Sequence, residues 1–237
     1  MTKNKLSKIF IIVGIILILI ATVLCIIFIP EPPPNKIYQN NMASIVELKA
    51  DSPEGIESFG TAEFIDNNGQ LVTNAHVVTY TRNGTVHAFE HYFIRFANQI
   101  DYHEAELVKY NTDLDIAVLR IKNTALFFSP IQIGNTKKIQ SGDKVYAIGN
   151  SINYGLSISQ GIVGIPLLNI QYSGITKSVI QCDLTITDGN SGGALLDNRG
   201  HLIGITTFRV KDNQGNVVYG IAYCIPINVV LEYVYCN

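Results

Sequence analysis

The first strong pattern in the chain is a long apolar run near its start. Residues Ile9–Ile29 contain no charged side chain and are rich in isoleucine and leucine. About 20 apolar residues in a helix cover the ~30 Å hydrocarbon core of a bilayer. The apolar region of a signal peptide usually has only about 7–15 residues and ends in small side chains. We therefore expect residues 9–29 to form an uncleaved transmembrane anchor, with a cleaved signal peptide as the alternative.

Charges on either side of this run predict its orientation. Three lysines precede it, whereas the residues after it open with Glu31. Because lysine and arginine are enriched on the cytoplasmic side of membrane spans, we expect residues 1–8 to form a cytoplasmic tail. Everything after Pro30 should then lie outside the cytoplasm. Residues 30–41 are rich in proline and are predicted to form a stiff, extended linker.

Beyond the linker, the pattern changes to short runs rich in Val, Ile, Thr, Phe and Tyr, divided by turn residues. The predicted strands are Ala43–Leu48, Thr61–Ile65, His91–Phe96, Glu104–Val108, Ile116–Ile121, Lys144–Ile148, Val179–Cys182, Leu202–Thr207 and Val217–Ala222. No long stretch here has helical periodicity. Strands at this spacing indicate an all-β fold, either a sandwich or a pair of barrels. We expect two β-rich halves, residues 42–130 and 131–237, joined around Phe127–Thr136.

Composition excludes two classes of function. The 237 residues include 17 Lys+Arg and 19 Asp+Glu, for a formal net charge of -2. A nucleic-acid-binding protein would carry a basic stripe, so no nucleic-acid partner is expected. The four cysteines include no C-x-x-C pair, which argues against a structural zinc site.

Three short segments carry the residue types of nucleophilic catalysis. They are Thr73–Val78, Asp113–Leu119 and Asp188–Gly193, and they supply a histidine, an aspartate and a serine in that order. A serine hydroxyl needs a neighbouring base, histidine titrates in the right range, and a carboxylate orients the imidazole. Each segment alone also fits a plain structural role. Together, in a β-rich chain, they indicate the catalytic triad of a serine protease with His76 and Ser191.

The glycine-rich segment around the serine also suits an oxyanion hole, here predicted from Gly189, Asn190 and Ser191. Gly189 lets the backbone bend so that its N–H and that of Ser191 point at one spot. Spacing alone leaves Asp113 and Asp115 as alternatives for the acid of the triad.

With these segments the chain resembles the HtrA (Deg) family of chymotrypsin-fold serine proteases over nearly all of residues 44–228. The stretches that carry the resemblance are Gly60–Asp66, Leu71–Val78, Asp115–Ile121, Gly142–Asn150, Ser159–Val163, Ile180–Asp183, Gly189–Gly193, Leu202–Thr206 and Gly220–Pro226. The resemblance implies an all-β, chymotrypsin-like double β-barrel. It also implies that His76 is the general base, Asp115 its orienting partner and Ser191 the nucleophile.

The chain departs from the family pattern at several positions. Asp188 stands where the family usually has proline, and Thr61–Glu63 replaces a glycine-rich segment. At Thr207, by contrast, the chain agrees with the family pattern, because such proteases keep a hydroxyl there that supports the triad carboxylate. Most relatives carry PDZ domains after the protease. Because this chain ends at Asn237, we expect no PDZ domain and no regulation through one.

The resemblance also implies which residues bind substrate. Thr185, six residues before the nucleophile, is expected at the base of the specificity pocket, with Thr206, Thr207 and Phe208 on the facing strand. No carboxylate is expected there to pair with a substrate Lys or Arg. A small pocket of hydroxyl and apolar groups suits Val, Ala, Thr or Leu before the scissile bond, with modest discrimination between them.

Two patterns lie outside the predicted triad. Residues His87–His91 fit H-x-x-E-H, a zinc-protease pattern that needs a helix. Because the segment runs into strand-like residues, we expect a surface loop of the first barrel and no metal. By resemblance, Cys182 and Cys224 lie on neighbouring strands, and a disulfide between them is a hypothesis.

The leading hypothesis is a membrane-anchored serine endopeptidase that cuts polypeptides outside the cytoplasm without a cofactor. A catalytically silent binding protein of the same fold is one alternative, and a signalling protease of narrow specificity is another. The chain's self-association into a homo-oligomer is left open.

Overall fold

The N-terminal unit, Met1–Pro32, is built on helix α1 (Lys3–Ile27). In this computed structural model the described residues are 3–27, 30–172, 174–211, 214 and 217–236. Among them, no helix is both long enough and apolar enough to cross a membrane. The transmembrane anchor therefore stays a prediction.

The second unit, Pro33–Asn237, begins with helix α2 (Pro34–Asn41). Proline suits the first helical position because its fixed φ matches the helix and its missing N–H would have no partner there. Ile37 and Asn41 of this helix are buried, and the hydroxyl of Tyr38 donates to the carbonyl of Leu156 at 2.8 Å. The segment predicted as an extended linker is thus partly a helix that packs on the β-domain.

Six strands form the first closed barrel, in the order β1-β2-β3-β8-β7-β6. Their ranges are β1 (Ile45–Asp51), β2 (Glu57–Phe64), β3 (Gln70–Thr73), β6 (His91–Phe96), β7 (His103–Asn111) and β8 (Ile116–Ile121). The short helix α3 (Ala75–Val78) follows β3, and the hairpin of β4 (Thr79–Arg82) and β5 (Thr85–Ala88) extends from it. His87 therefore lies in a strand and His91 begins the next one, so the H-x-x-E-H segment is not helical.

Six more strands form the second closed barrel, in the order β10-β11-β14-β13-β12-β9. Their ranges are β9 (Lys144–Asn150), β10 (Leu156–Tyr172), β11 (Ile175–Cys182), β12 (Ala194–Leu196), β13 (Leu202–Lys211) and β14 (Val217–Pro226). Helix α4 (Ile227–Cys236) ends the domain. The all-β, chymotrypsin-like double barrel expected from the sequence is confirmed.

Each barrel has its own apolar core, and a third cluster lies between the two barrels. In β2, Ala62 and Phe64 belong to the core of the first barrel. Ile45 and Val72, on the strands that flank β2, belong to the cluster that also contains Ile148 of the second barrel. Because side chains alternate along a strand, the two faces of β2 serve the barrel core and the interface between barrels.

The two buried cysteines lie on neighbouring strands, as the resemblance implied. Cys182 of β11 pairs with Ala222 of β14, and Cys224 pairs with Ile180. Both cysteines are unbridged in the structure, so the hypothesised disulfide is not formed. A hydrogen bond with Cys182 and burial both raise the pKa of the Cys224 thiol. Cys224 is therefore held as a protonated thiol.

Candidate active site

Two residues of the predicted triad meet at the edge of the first barrel. His76 lies in α3, and Asp115 lies in the turn between β7 and β8. The Nδ1 atom of His76 is 3.0 Å from both carboxylate oxygens of Asp115. The backbone N–H of His76 also donates to Oδ1 of Asp115 at 3.0 Å. This arrangement fixes the imidazole through Nδ1 and leaves Nε2 as the nitrogen that can act as a base. The neighbouring Asp113 is exposed and has no part in these contacts.

The second barrel supports the same carboxylate. The hydroxyl of Thr207 in β13 donates to Oδ2 of Asp115 at 2.7 Å. Burial of Asp115 acts to raise its pKa. The hydrogen bond and charge of His76, together with the Thr207 hydroxyl, outweigh burial, so the pKa lies below its ordinary value. Asp115 therefore stays ionised and can stabilise an imidazolium next to it.

Ser191 lies close to this pair, in the loop between β11 and β12. Its hydroxyl donates to the carbonyl oxygen of Thr207 at 3.2 Å. Within the described residues, no hydrogen bond joins Ser191 to His76. Asp115 and His76, the predicted acid and base, are thus in contact, whereas the hydroxyl of Ser191, the predicted nucleophile, donates to a backbone carbonyl. Catalytic hydrogen bonds often form only when substrate is bound.

The turn before Ser191 leaves two N–H groups unused. The N–H groups of Gly189 and Ser191 donate to no acceptor in the described part of the chain, whereas Asn190 N donates to the carbonyl of Thr187 at 3.1 Å. Gly189 has φ +88°, and a Cβ atom there would lie 2.0 Å from the carbonyl oxygen of Asn150. Only glycine fits this position. The turn therefore presents two N–H groups that can donate to a developing oxyanion.

A loop of the second barrel holds the orientation of this turn. The N–H of Ile152 donates to the carbonyl of Asp188 at 2.7 Å. Carbonyl and N–H point in opposite directions across a trans peptide, so this bond also fixes the direction of the Gly189 N–H. Ile152 itself has φ +54°, a costly conformation for a β-branched residue.

The predicted pocket residues whose side chains are described differ in their surroundings. Thr185 is exposed. Thr206 is buried. Its hydroxyl donates to the carbonyl oxygens of Asn190 and, at 3.2 Å, Gly193, which both lie in the loop between β11 and β12, called the catalytic loop below. The hydroxyl of Thr207 is bound to Asp115, and Thr207 also lines a cavity together with Leu114 and Val179. The side chain of Phe208 lies outside the described residues.

Two polar residues reach the site although sequence reasoning gave them no role. Asn74 contacts the backbone of Asp115 and Gly192, and Thr61 contacts the backbone of Gly189. Asn74 lies two residues before His76 and directly before a helix. That position usually signals a helix cap, so the sequence pointed to a different role.

No group of metal ligands occurs among the residues that the structure describes.

Comparison with known proteins gives the same fold. The model of the trypsin-like peptidase domain family matches residues 60–205. The serine endoprotease DegS of Haemophilus influenzae is 28% identical over 209 residues, which are 85% of this chain and 56% of DegS. A probable periplasmic serine endoprotease, DegP-like, of Bartonella henselae is 34% identical over 169 residues, 71% of this chain and 31% of that protein.

Solved structures agree with these matches. The HtrA-type protease AlgW with tripeptide has a TM-score of 0.73 and 28% sequence identity, and the match covers 86% of this chain and 62% of that one. The chain thus spans less than two thirds of each of these relatives. Since the matched residues include His76, Asp115 and Ser191, the chain belongs to the trypsin-like peptidase family and is of the HtrA type.

Proposed function

We propose that the protein is a serine endopeptidase that hydrolyses peptide bonds through an acyl-enzyme. Ser191 is the nucleophile, His76 the general base and Asp115 the residue that orients it. The observation that carries the proposal is the network at Asp115, whose carboxylate accepts from His76 Nδ1 at 3.0 Å and from the Thr207 hydroxyl at 2.7 Å. A buried carboxylate bound in this way holds the imidazole in the tautomer that can take the serine proton.

Attack on a peptide carbonyl would proceed as follows. Ser191 rotates from the Thr207 carbonyl towards Nε2 of His76, transfers its proton there and forms a bond to the substrate carbonyl carbon. The N–H groups of Gly189 and Ser191 bind the oxyanion, and His76 then protonates the departing amine. Water then attacks the acyl-enzyme. His76 takes a proton from the water and returns it to the oxygen of Ser191, which leaves as the acid product is released.

The hydrogen bond that Ser191 makes to the Thr207 carbonyl is one that a polypeptide substrate can replace. An extended peptide that lies beside β13 offers its own N–H to the Thr207 carbonyl, the acceptor that the Ser191 hydroxyl uses at 3.2 Å. Substrate binding would then release the hydroxyl to His76. Thr185, exposed near the loop, remains the proposed contact for a small uncharged side chain before the scissile bond.

The decisive experiment compares wild type with Ser191→Ala. Wild type should cleave casein and react with a fluorophosphonate probe, whereas Ser191→Ala should lose about 10⁶-fold in turnover by analogy with subtilisin and stay unlabelled. Comparable cleavage by both would exclude the proposed nucleophile. A wild-type chain that binds peptides but neither cleaves nor reacts would instead be the catalytically silent protein.

We further propose that the N-terminal segment anchors the protein and that the protease domain acts outside the cytoplasm. The support is the uncharged run Ile9–Ile29, in which apolar side chains between Ile9 and Ile20 are exposed. A periplasmic location also appears in the name of one relative. Carbonate washing of cells that carry the Ser191→Ala chain should not release it, and external protease should digest the domain. A soluble, shortened chain would support a cleaved signal peptide instead.

A further inference from the structure

The peptide group that follows Ser191 is held at both of its polar atoms by the first barrel. Its carbonyl oxygen accepts from the N–H of Thr61 at 2.9 Å. Its N–H, that of Gly192, donates to the side-chain Oδ1 of Asn74 at 2.7 Å and is shared with the carbonyl oxygen of Thr206 in the second barrel at 2.8 Å. Gly192 has φ +77°, and a Cβ atom there would lie 2.1 Å from the hydroxyl of Thr73. The backbone of the nucleophile therefore lies directly against the other barrel.

Asn74 also holds the acid of the triad. Its Nδ2 donates to the backbone carbonyl of Asp115 at 2.9 Å, and Asp115 has φ +59°, an uncommon conformation for a residue other than glycine. Although Asn74 precedes α3 at the N-cap position, its side chain makes no capping bond, and it is fully buried. The amide therefore does not cap the helix, as an N-cap asparagine usually does, and instead links the Asp115 turn to the loop that carries Ser191.

The hydroxyl of Thr61 makes a second link of this kind. It donates to the carbonyl of Gly189 at 2.9 Å and accepts from the N–H of Asn150 at 2.9 Å. Thr61 is fully buried. One hydroxyl of the first barrel therefore touches the turn that carries the proposed oxyanion donors and the end of strand β9.

We propose that Asn74 and Thr61 are positioning residues through which the first barrel fixes the nucleophile, the oxyanion turn and the triad acid relative to one another. This inference rests on the proposed serine-protease function. Neither side chain needs to touch substrate. Both act through backbone groups of Asp115, Gly189 and Gly192, and an error of about 1 Å in such groups costs on the order of 100-fold in rate.

The first test pairs Asn74→Ala with the control Asn41→Ala in the full chain. Asn41 is also buried, and its Nδ2 donates to two backbone carbonyls, those of Ile37 at 2.9 Å and Gly200 at 3.3 Å, away from the triad. Both variants should lower the urea midpoint of unfolding. Only Asn74→Ala should lower kcat on a quenched fluorescent peptide, by about 100-fold, with KM changed by no more than about threefold. Active enzyme is counted with a fluorophosphonate probe.

The second test uses Thr61 and stays informative if Asn74→Ala does not fold. Thr61→Val keeps the shape of the side chain and removes the hydroxyl, whereas Thr61→Ser keeps the hydroxyl. Thr61→Val should lower kcat by about 10-fold or more, because the Gly189 turn and the end of β9 lose the hydroxyl that joins them, and Thr61→Ser should retain most of the wild-type kcat.

The outcomes separate this inference from the function on which it rests. If Asn74→Ala and Asn41→Ala keep equal kcat, or if Thr61→Val and Thr61→Ser behave alike, the positioning role is wrong while the protease stands. If Ser191→Ala cleaves as well as wild type, the proposed function fails, and the positioning role fails with it.

Discussion

Glu63 is a buried acid that has no hydrogen-bond partner in the described part of the chain, and its replacement should stabilise the protein. The side chain is fully buried in β2, between Ile45 and Val72 on the flanking strands. Both neighbours belong to the apolar cluster between the barrels. Neither carboxyl oxygen of Glu63 has a hydrogen-bond partner among the described residues. We therefore expect Glu63→Leu, which has a similar volume and no polar atom, to raise the free energy of unfolding.

The magnitude has two parts. Burying a polar group without a hydrogen bond costs about 1–3 kcal/mol, and Glu63→Leu recovers this at any pH. The second part depends on pH, because burial raises the pKa of Glu63 well above its ordinary value. Below the unfolded pKa of about 4.3, both states hold the proton. Above it, the unfolded chain releases the proton that the folded chain keeps. Wild type then loses up to about 1.4 kcal/mol of stability per pH unit until its folded pKa is reached.

Glu63→Gln separates the two parts. The amide is neutral at every pH but leaves polar atoms buried. The stability difference between Glu63→Leu and Glu63→Gln should therefore stay constant with pH. The difference between Glu63→Gln and wild type should grow as the pH rises from 5 to 8.

Urea unfolding in a Ser191→Ala background, which prevents self-digestion, measures both differences. The chain has no tryptophan and 12 tyrosines, so far-UV circular dichroism or tyrosine fluorescence must report unfolding. If wild type and Glu63→Gln show the same pH dependence, Glu63 titrates like an exposed acid and the reasoning is refuted. If Glu63→Leu is less stable than wild type at pH 8, the carboxyl has a partner after all.

Three further predictions follow from the site and the second core. Thr207→Val should lower kcat/KM by about 10- to 100-fold, since a hydrogen bond to a charged group contributes about 1.5–3 kcal/mol, whereas Thr207→Ser should stay close to wild type. Without that hydroxyl, the lowered pKa of Asp115 should move towards its ordinary value, so stability should be lost at a higher pH during acid titration. Cys182 and Cys224 should resist iodoacetamide until urea unfolds the protein, and peptide mapping that finds them disulfide-bonded would contradict this. Gly189→Ala should reduce kcat by at least about 100-fold, because the added Cβ displaces an oxyanion donor, and unchanged kcat would show that this N–H has no such role.

Local signals predicted an all-β fold and a triad with His76 and Ser191, whereas the double barrel and the choice of Asp115 over Asp113 came from the resemblance to the HtrA family. Each strand, each turn and each of the three short segments can be recognised from about ten consecutive residues. Helix α4 contradicts the expectation that no long stretch beyond the linker has helical periodicity, since Ile227, Val230 and Val234 are buried at helical spacing. Helix α2 was missed because three consecutive prolines suggest an extended spacer, although the last of them begins a helix.

Contacts between the barrels could not be predicted in this way. The alternation of side chains along β2 puts Thr61 and Glu63 on one face, but nothing local says that this face is buried against the second barrel. Such contacts depend on residues more than a hundred positions away, so a single sequence gives no signal for them.

This shared face connects stability with catalysis. Thr61 binds the backbone of the catalytic loop at two points, through its N–H to Ser191 and through its hydroxyl to Gly189. Two residues further along the same strand, Glu63 lies in the apolar interface with no partner among the described residues. Ionisation of that carboxyl favours any opening that admits water, and an opening at Glu63 displaces the strand that holds Thr61. Because β2 contacts both β9 and β12, such an opening would also remove the support that Thr61 gives to the loop of Ser191.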